Sequence, residues 1–238
     1  MAPLTLRPGP DGLKRCSWCL GSPDYLAYHD EEWGRPVVDD TRLLEKLCLE
    51  GFQAGLSWLT ILRKRENFRR AFAGFDRDRM AGFGPRDVTR LLADTGIVRH
   101  RGKIEAAIAN ARAAGAVAEA EGSLAALIWR YRPAPADRPR RLTGATLARL
   151  TETPHSVALS RELKRRGFRF VGPTTAYAFM QAMGLVNDHL DGCHVRGVVE
   201  ALRGELEPEE ARAGGAGLSS TPAPPVARSS GAMTPPAR

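Results

Sequence analysis

Apolar residues recur every three or four positions along most of this chain. From Thr41 an apolar stripe runs through Leu43, Leu44, Leu47 and Cys48, a spacing that places these side chains on one face of an α-helix. No stretch alternates apolar and polar residues for long enough to predict a substantial sheet. The pattern therefore predicts an all-α fold. The same helical period marks further helices over 58–65, 85–92, 97–114, 124–131, 156–166 and 174–183.

Three segments lack this periodicity: two of them bound the predicted domain, and the third divides it. Residues 1–14 are rich in Pro and Gly, and we expect a flexible arm there. Residues 132–141 contain four arginines and three prolines, a composition typical of a linker, here between two packed helical subdomains. Residues 208–238 are mostly Gly, Ala, Pro and Ser, so we expect a disordered tail. The helical domain is thus predicted over 15–207.

The composition of the chain indicates the class of its partner and the compartment in which it acts. The chain has 238 residues and a formal net charge of +8, which favours a polyanionic partner. No apolar run approaches the ~20 residues that span a bilayer, and no signal sequence begins the chain, so we expect a cytoplasmic protein that does not enter a membrane. No exposed heptad or apolar stripe stands out, and we expect a monomer.

The stretch RGFRFVGPT, over residues 166–174, lies between two predicted helices. Gly167 and Gly172 permit a tight turn that presents backbone N–H groups at a helix N-terminus, where a phosphate oxygen is favoured. Lys164 and Arg169 add positive charge. This combination predicts a helix-hairpin-helix that binds the DNA backbone without regard to base sequence. The alternative is an ordinary packing corner between two helices.

Cysteine and histidine residues near the two ends of the predicted domain suggest a metal site. Cys16 and His29 lie at one end, and His189 and Cys193 at the other. Two Cys and two His ligands form a tetrahedral zinc set, closed to water and therefore structural. Such a site would clasp the N-terminal and C-terminal segments together. The spacing Cys16-x2-Cys19 offers a rival local pair, as ligands or as a redox dithiol.

Glu50 and Trp58 mark a candidate binding pocket. Gly51 and Gly55 lie between them, and a carboxylate beside an indole in an open pocket suits a flat cationic ligand. The alternative is a solvated Glu50 with Trp58 in the core. The segment 23–40 has no periodicity and is expected to be an irregular, aromatic-rich lining. Aromatic side chains that could stack on an extruded base, or equally form a core, are Trp18, Tyr25, Tyr28, Trp33 and Trp58.

Together these motifs resemble the bacterial DNA-3-methyladenine glycosylase I (Tag) family, a zinc-containing branch of the helix-hairpin-helix glycosylases. The resemblance runs from about Arg15 to Cys193. It is carried by RCSW, YLAYHDEEWG, CLEGFQAGLSW, GIVRHRGKI, KRRGFRFVGPTTAYAFMQAMG and LVNDHLDGC. It implies one structural zinc ion on Cys16, His29, His189 and Cys193. It also implies catalytic roles for Glu50 and Tyr28, with base-binding walls from Trp18, Tyr25, Trp33 and Trp58.

The resemblance further implies the reaction, which is hydrolysis of the N-glycosidic bond of 3-methyladenine in duplex DNA by base flipping. Thr174 stands where relatives that also cut the backbone carry Lys, so a monofunctional enzyme is expected. Asp188 and Asp191 lie near the place of an Asp that assists water in related enzymes, and their roles stay open. Cys19 departs from the family pattern. The competing hypothesis is a module that binds damaged DNA without catalysis and needs no Glu50.

Overall fold

A computed structural model of the chain describes residues 4–206, and the predicted tail over 208–238 lies outside them. Within this range the chain is mostly helical, which confirms the all-α prediction. The helices are α1 Pro23–Glu31, α2 Asp40–Gln53, α3 Trp58–Ala71, α4 Arg77–Ala81, α5 Pro85–Ala93, α6 Arg101–Glu121, α7 Leu124–Trp129, α8 Gly144–Leu147, α9 Pro154–Arg165, α10 Pro173–Ala182 and α11 Arg196–Glu205. Short 3₁₀ turns cover Ser17–Gly21, Ala73–Phe75 and Pro135–Asp137.

Side-chain caps explain where the helices begin. The Asp39 carboxylate accepts a hydrogen bond from the Arg42 amide at 2.8 Å and so caps the start of α2. Helix α9 was expected to begin at Ser156, and this is wrong. Thr153 is the cap, and Ser156 completes a reciprocal capping box by accepting from the Thr153 amide at 2.9 Å.

Helix α1 corrects the expectation of an irregular segment over 23–40. The Ser22 hydroxyl accepts from the Tyr25 amide at 3.2 Å, and Pro23 occupies the first turn. The sequence signal was weak because the apolar positions of α1 are aromatic and lack a clear stripe. The helix brings Tyr25, Tyr28 and His29 to adjacent positions on neighbouring turns.

The first described residues also differ from the expected flexible arm over 1–14. Strand β1, Leu6–Pro8, pairs antiparallel with β2, Lys14–Cys16. Leu4 and Leu6 pack against a small apolar cluster that contains Cys16 and Cys193. Strands of three residues are too short to produce a recognisable alternation, so the hairpin was not predicted.

The main core lies among the longer helices. Helix α6 contacts α2, α4, α5 and α7, while α10 packs on both α9 and α2. Phe52, Phe68 and Phe72 form an aromatic centre, with the Phe52 and Phe68 ring centroids 4.6 Å apart. No helix within residues 4–206 is both long and apolar enough to cross a lipid bilayer. The division into two subdomains stays a prediction.

Candidate functional site

Four ligand-type side chains from opposite ends of the described chain meet in one buried group. Their ligand atoms, from Cys16, His29, His189 and Cys193, all lie within 4.8 Å of one another. His29 Nε2 is 3.1 Å from His189 Nδ1 and 3.6 Å from Cys193 Sγ. The edges of a zinc tetrahedron, taken from usual bond lengths, are about 3.4 Å for N–N and about 3.6 Å for N–S. These two separations are close to those edges, so the group is compatible with a tetrahedral metal ion.

Hydrogen bonds to the other ring nitrogens orient both imidazoles. His29 Nδ1 lies 2.7 Å from the Asp30 carboxylate, and His189 Nε2 lies 2.9 Å from the Trp33 carbonyl. Those contacts leave His29 Nε2 and His189 Nδ1 facing the centre of the group, as in metal sites with a fixed tautomer. Asp30 is held in turn by the Arg15 guanidinium at 2.8 Å.

One thiol of the group, Cys193, ionises readily, and the neighbouring Cys19 lies outside the group. The Cys16 thiol and the two imidazoles lower the pKa of Cys193, although burial opposes the shift. A readily ionised thiol suits metal binding because the thiolate is the ligand form. Cys19 is buried in the adjacent 3₁₀ turn but is not part of the four-residue group. The structure therefore brings together the predicted ligand set rather than the local Cys pair.

A second cluster surrounds Glu50, on α2. The Glu50 carboxylate lies 2.7 Å from the ammonium of Lys46, one turn earlier on the same helix. The Lys46 ammonium also donates to the Tyr28 hydroxyl at 3.0 Å and lies 3.3 Å from the centre of the Trp58 ring. The Tyr28 and Trp58 ring centroids are 5.4 Å apart. Three predicted pocket residues thus converge on one place, and an ammonium fills it.

Sequence reasoning missed Lys46. Lysine on an amphipathic helix is usually solvated, yet Lys46 is only 5% exposed because α1 and α3 cover it. Burial lowers the pKa of Lys46, while the Glu50 carboxylate opposes that shift. Its spacing of four residues from Glu50 was the available signal, since side chains at i and i+4 share a helix face.

Burial and the Glu50 charge also act on the tyrosine of the pocket. They raise the pKa of Tyr28 well above its ordinary value, so its hydroxyl stays protonated at neutral pH. Beside Lys46 is a small cavity whose lining includes Tyr28, Trp58, Glu32 and Glu45.

The remaining predicted aromatic residues lie between the pocket and the metal group. The Trp18 ring packs edge-on against Trp33 at 5.2 Å and against the His29 ring at 5.3 Å. The Tyr25 hydroxyl accepts a hydrogen bond from the Leu59 amide at 2.9 Å, at the start of α3. Through these contacts Trp18 and Tyr25 support the residues that line the pocket. Direct contact of Trp18, Tyr25 and Trp33 with a base stays a prediction.

The turn between α9 and α10 has the expected hairpin form. Gly167 adopts a φ of 94°, a left-handed conformation that favours glycine. Asn110 on α6 holds the turn from inside: its side-chain oxygen accepts from the Arg169 amide at 2.7 Å, and its nitrogen donates to the Arg169 carbonyl at 3.2 Å. Lys164, Gly167 and Arg169 are exposed, while Gly172 is half-buried at the start of α10.

The hairpin also approaches the pocket helix. A Cβ atom at Gly51 would lie 3.1 Å from the Phe170 Cβ, so a glycine permits the close contact between α2 and the hairpin. Not all of the basic residues near the turn are available for a partner, because Arg165 and Arg166 both pair with Glu162 at 2.5 and 2.8 Å.

Comparison with known proteins relates the chain to one family. Residues 18–196 match the methyladenine glycosylase family. The chain belongs to this family. The chain is 48% identical over 182 residues to DNA-3-methyladenine glycosylase 1 of Escherichia coli (strain K12), covering 76% of this chain and 96% of that protein.

This methyladenine glycosylase family member is also similar to solved structures. A crystal structure of 3-methyladenine DNA glycosylase I (TAG) is 50% identical, covers 76% of this chain and 98% of its own, and superposes with a TM-score of 0.70. A tyrosine-to-phenylalanine variant of a TAG enzyme, in complex with 3-methyladenine, is 36% identical, covers 76% and 97% of the two chains, and gives a TM-score of 0.71. The resemblance found in the sequence is confirmed.

Two aspartates whose roles the sequence left open have structural partners in this family member. Asp188 is fully buried, accepts from the Tyr177 hydroxyl at 2.6 Å and from Gln181 at 2.8 Å, and pairs with Arg138. Asp191 accepts from the Leu142 amide at 3.1 Å. Both carboxylates thereby tie the segment between α7 and α9 to the segment that follows α10.

Proposed function

We propose that this chain is a DNA glycosylase that releases 3-methyladenine from DNA and thereby initiates base excision repair. Membership of the methyladenine glycosylase family and the likeness to the E. coli enzyme support this activity. The observation that carries it in this chain is the cation held in the pocket, where the Lys46 ammonium lies 2.7 Å from Glu50 and 3.3 Å from the centre of Trp58. Such a place suits a positively charged purine.

The pocket residues are assigned separate roles. Glu50 accepts hydrogen bonds from the edge of the base, the Tyr28 hydroxyl fixes its orientation, and Trp58 stacks on its ring. Among residues 4–206, the Nε1–H group of Trp58 is buried without a hydrogen-bond acceptor. A buried donor of that kind supports a ligand that supplies the acceptor. Trp18, Tyr25 and Trp33 complete the wall around these three side chains.

The chemistry follows from the charge of the substrate. Methylation at N3 makes the base cationic, so the base leaves readily once it is bound. The C1′–N9 bond breaks and its electron pair goes to the base, which becomes neutral. Water then adds to the oxocarbenium-like sugar and loses one proton to the solvent. Glu50 and Tyr28 contribute by binding the extruded, charged base more strongly than a stacked neutral one. Thr174 offers no amine at the hairpin, which supports a monofunctional enzyme without strand cleavage.

The hairpin is the proposed contact with duplex DNA. The backbone around Gly167 and Gly172 faces the phosphates, and Lys164 and Arg169 add charge. The exposure of Lys164, Gly167 and Arg169 supports this assignment. Phosphate contacts position the duplex without reading its sequence, as a search for rare damaged bases requires.

We further propose that the metal group binds one zinc ion. Four protein ligands leave no position for water, so the ion would cross-link Cys16 and His29 to His189 and Cys193 and play no part in bond cleavage. We also propose a monomer, because the described residues expose few large apolar side chains, among them Leu13, Val38 and Val198. A DNA substrate is in keeping with the cytoplasmic location expected from the sequence.

The test is incubation of the purified protein with methylated duplex DNA, followed by chromatography of the small molecules released. Free 3-methyladenine is expected, while the DNA strands stay intact until alkali is added. Glu50→Gln should abolish most of the release and retain binding to undamaged duplex DNA.

The matched control is Glu31→Gln, at an exposed position on α1. It makes the same chemical change and should leave base release unaltered. Release by Glu50→Gln at the wild-type rate would remove Glu50 from the mechanism. Tight binding of methylated DNA without any release by the wild type would identify a damage-binding module instead.

A further inference from the structure

Lys46 occupies the place that the proposed function assigns to the base. Its ammonium contacts each of the three side chains that would hold the base: Glu50 at 2.7 Å, the Tyr28 hydroxyl at 3.0 Å and the Trp58 ring at 3.3 Å from its centre. A base stacked on Trp58 would lie about 3.5 Å from that ring. On this face of Trp58 the base and the ammonium exclude each other.

The Lys46 ammonium has a second acidic environment within the same pocket. The small cavity beside it has two further carboxylates in its lining, Glu32 and Glu45. Each already pairs with an arginine, Glu32 with Arg65 at 2.5 Å and Glu45 with Arg69 at 2.8 Å. A carboxylate has lone pairs for more than one donor. The long lysine side chain can therefore turn from Glu50 toward these residues and keep an acidic neighbour.

The charge of the base changes during the reaction, and this decides which cation Glu50 prefers. Before cleavage the methylated base carries a positive charge and can replace the ammonium beside Glu50. When the C1′–N9 bond breaks, the electron pair that moves to the base makes it neutral. A neutral base no longer balances the Glu50 charge, whereas the Lys46 ammonium does so in a buried setting where unpaired charges are costly.

We propose that Lys46 is a displaceable cation that expels the product: the charged base moves its ammonium off Trp58, and the ammonium returns to Glu50 and Trp58 once the base has become neutral. This inference rests on the proposed function. It predicts that Lys46 weakens the binding of free 3-methyladenine and speeds its release, while the cleavage step itself does not need the amine.

The first test uses Lys46→Met, which keeps an unbranched side chain only one atom shorter and removes its charge. Free 3-methyladenine should bind this variant at least about tenfold more tightly than the wild type, by calorimetry, and should inhibit base release at correspondingly lower concentration. Single-turnover release from methylated DNA should not slow, whereas multiple-turnover kcat should fall as product release becomes limiting. Lys14→Met, at an exposed position, is the charge-matched control and should behave as wild type.

The second test uses the wild-type protein and so does not depend on how well the variant folds. The Lys46 ammonium lies 3.3 Å from the centre of the Trp58 ring, so NMR should find the adjoining methylene protons shifted upfield by the ring current. Addition of 3-methyladenine should move them to ordinary lysine positions. Retention of the upfield shift at saturating base would overturn the proposal.

The outcomes separate this inference from the proposed function. Base release by the wild type, together with equal affinities of wild type and Lys46→Met for 3-methyladenine, would reject the role of Lys46 and keep the glycosylase. Absence of both base release and base binding in the wild type would reject the glycosylase assignment, and the role of Lys46 with it.

Discussion

Tyr28 and His29 are consecutive residues of α1, yet their side chains serve different clusters. The Tyr28 hydroxyl accepts from Lys46 at 3.0 Å in the base pocket, while His29 Nε2 lies 3.1 Å from His189 Nδ1 in the metal group. Trp18 contacts both rings, at 6.5 Å and 5.3 Å between centroids. The position of Tyr28 therefore depends on whatever fixes His29.

Removal of the metal should affect the pocket as well as stability. Chelation is expected to lower the thermal unfolding midpoint by more than about 10 °C, because the proposed ion would join distant segments of the chain. Binding of free 3-methyladenine should weaken in the same samples, since α1 is no longer anchored at His29. Calorimetry with and without chelator measures both effects, and unchanged base affinity in folded apoprotein would show that the clusters are independent.

Cysteine variants should identify the ligands. Cys193→Ser is expected to lower the zinc content of the purified protein to well below one ion per chain. Cys19→Ser and Cys48→Ser should keep the metal, since neither residue belongs to the four-residue group. Elemental analysis decides the question, and loss of zinc in Cys19→Ser would reinstate the rival ligand pair.

Asp188→Asn should destabilise the fold strongly. Asp188 is fully buried and pairs with Arg138, so its neutralisation leaves a largely buried guanidinium without its counter-charge. The expected loss is about 3–5 kcal/mol in the free energy of unfolding, measured in urea. Asp24→Asn is the control, because Asp24 and Arg63 form an exposed pair whose loss should cost less than about 1 kcal/mol. Equal effects of the two variants would contradict the structural role of Asp188.

Asn110→Ala should weaken DNA binding without altering the base pocket. It removes both hydrogen bonds that Asn110 makes to the Arg169 backbone. The free energy that holds the hairpin in this conformation should fall by about 1–3 kcal/mol. Asn110→Asp keeps one acceptor and should show an intermediate effect. Fluorescence anisotropy with duplex DNA tests this, and free 3-methyladenine should bind all three proteins alike. A parallel loss of base affinity would mean that the whole fold had been disturbed.

Lys164→Ala and Arg169→Ala should each reduce the salt dependence of DNA binding. One lost phosphate contact lowers the slope of log K against log salt concentration by about one. Lys14→Ala removes the same charge from an exposed residue outside the hairpin and should leave the slope unchanged. Equal slopes in all the variants would place the DNA contact elsewhere.

The sequence predicted most helices and both clusters, and its failures have physical causes. The apolar stripe of α2 could be recognised in the sequence because one broad face of the helix is buried against α3, α6 and α10. Helix α1 was missed because its inward residues include Tyr28 and His29, which do not register as an apolar period.

Burial of Lys46 could not be predicted from α2 alone. It arises only when the rings of Tyr28 and Trp58, from α1 and α3, close over the ammonium. Local patterning identifies a helix face but not what another element places against it.

The proposed zinc site could form only late in the synthesis of the chain. His29 and Cys193 are 164 positions apart, so the ribosome completes the ligand set only after nearly all of the described fold has emerged. A chain that ends before His189 already carries Tyr28, Lys46, Glu50 and Trp58, and its α1 can contact α3 through Tyr25 and Leu59. Such a chain would still lack the proposed metal cross-link between the two ends of the described fold.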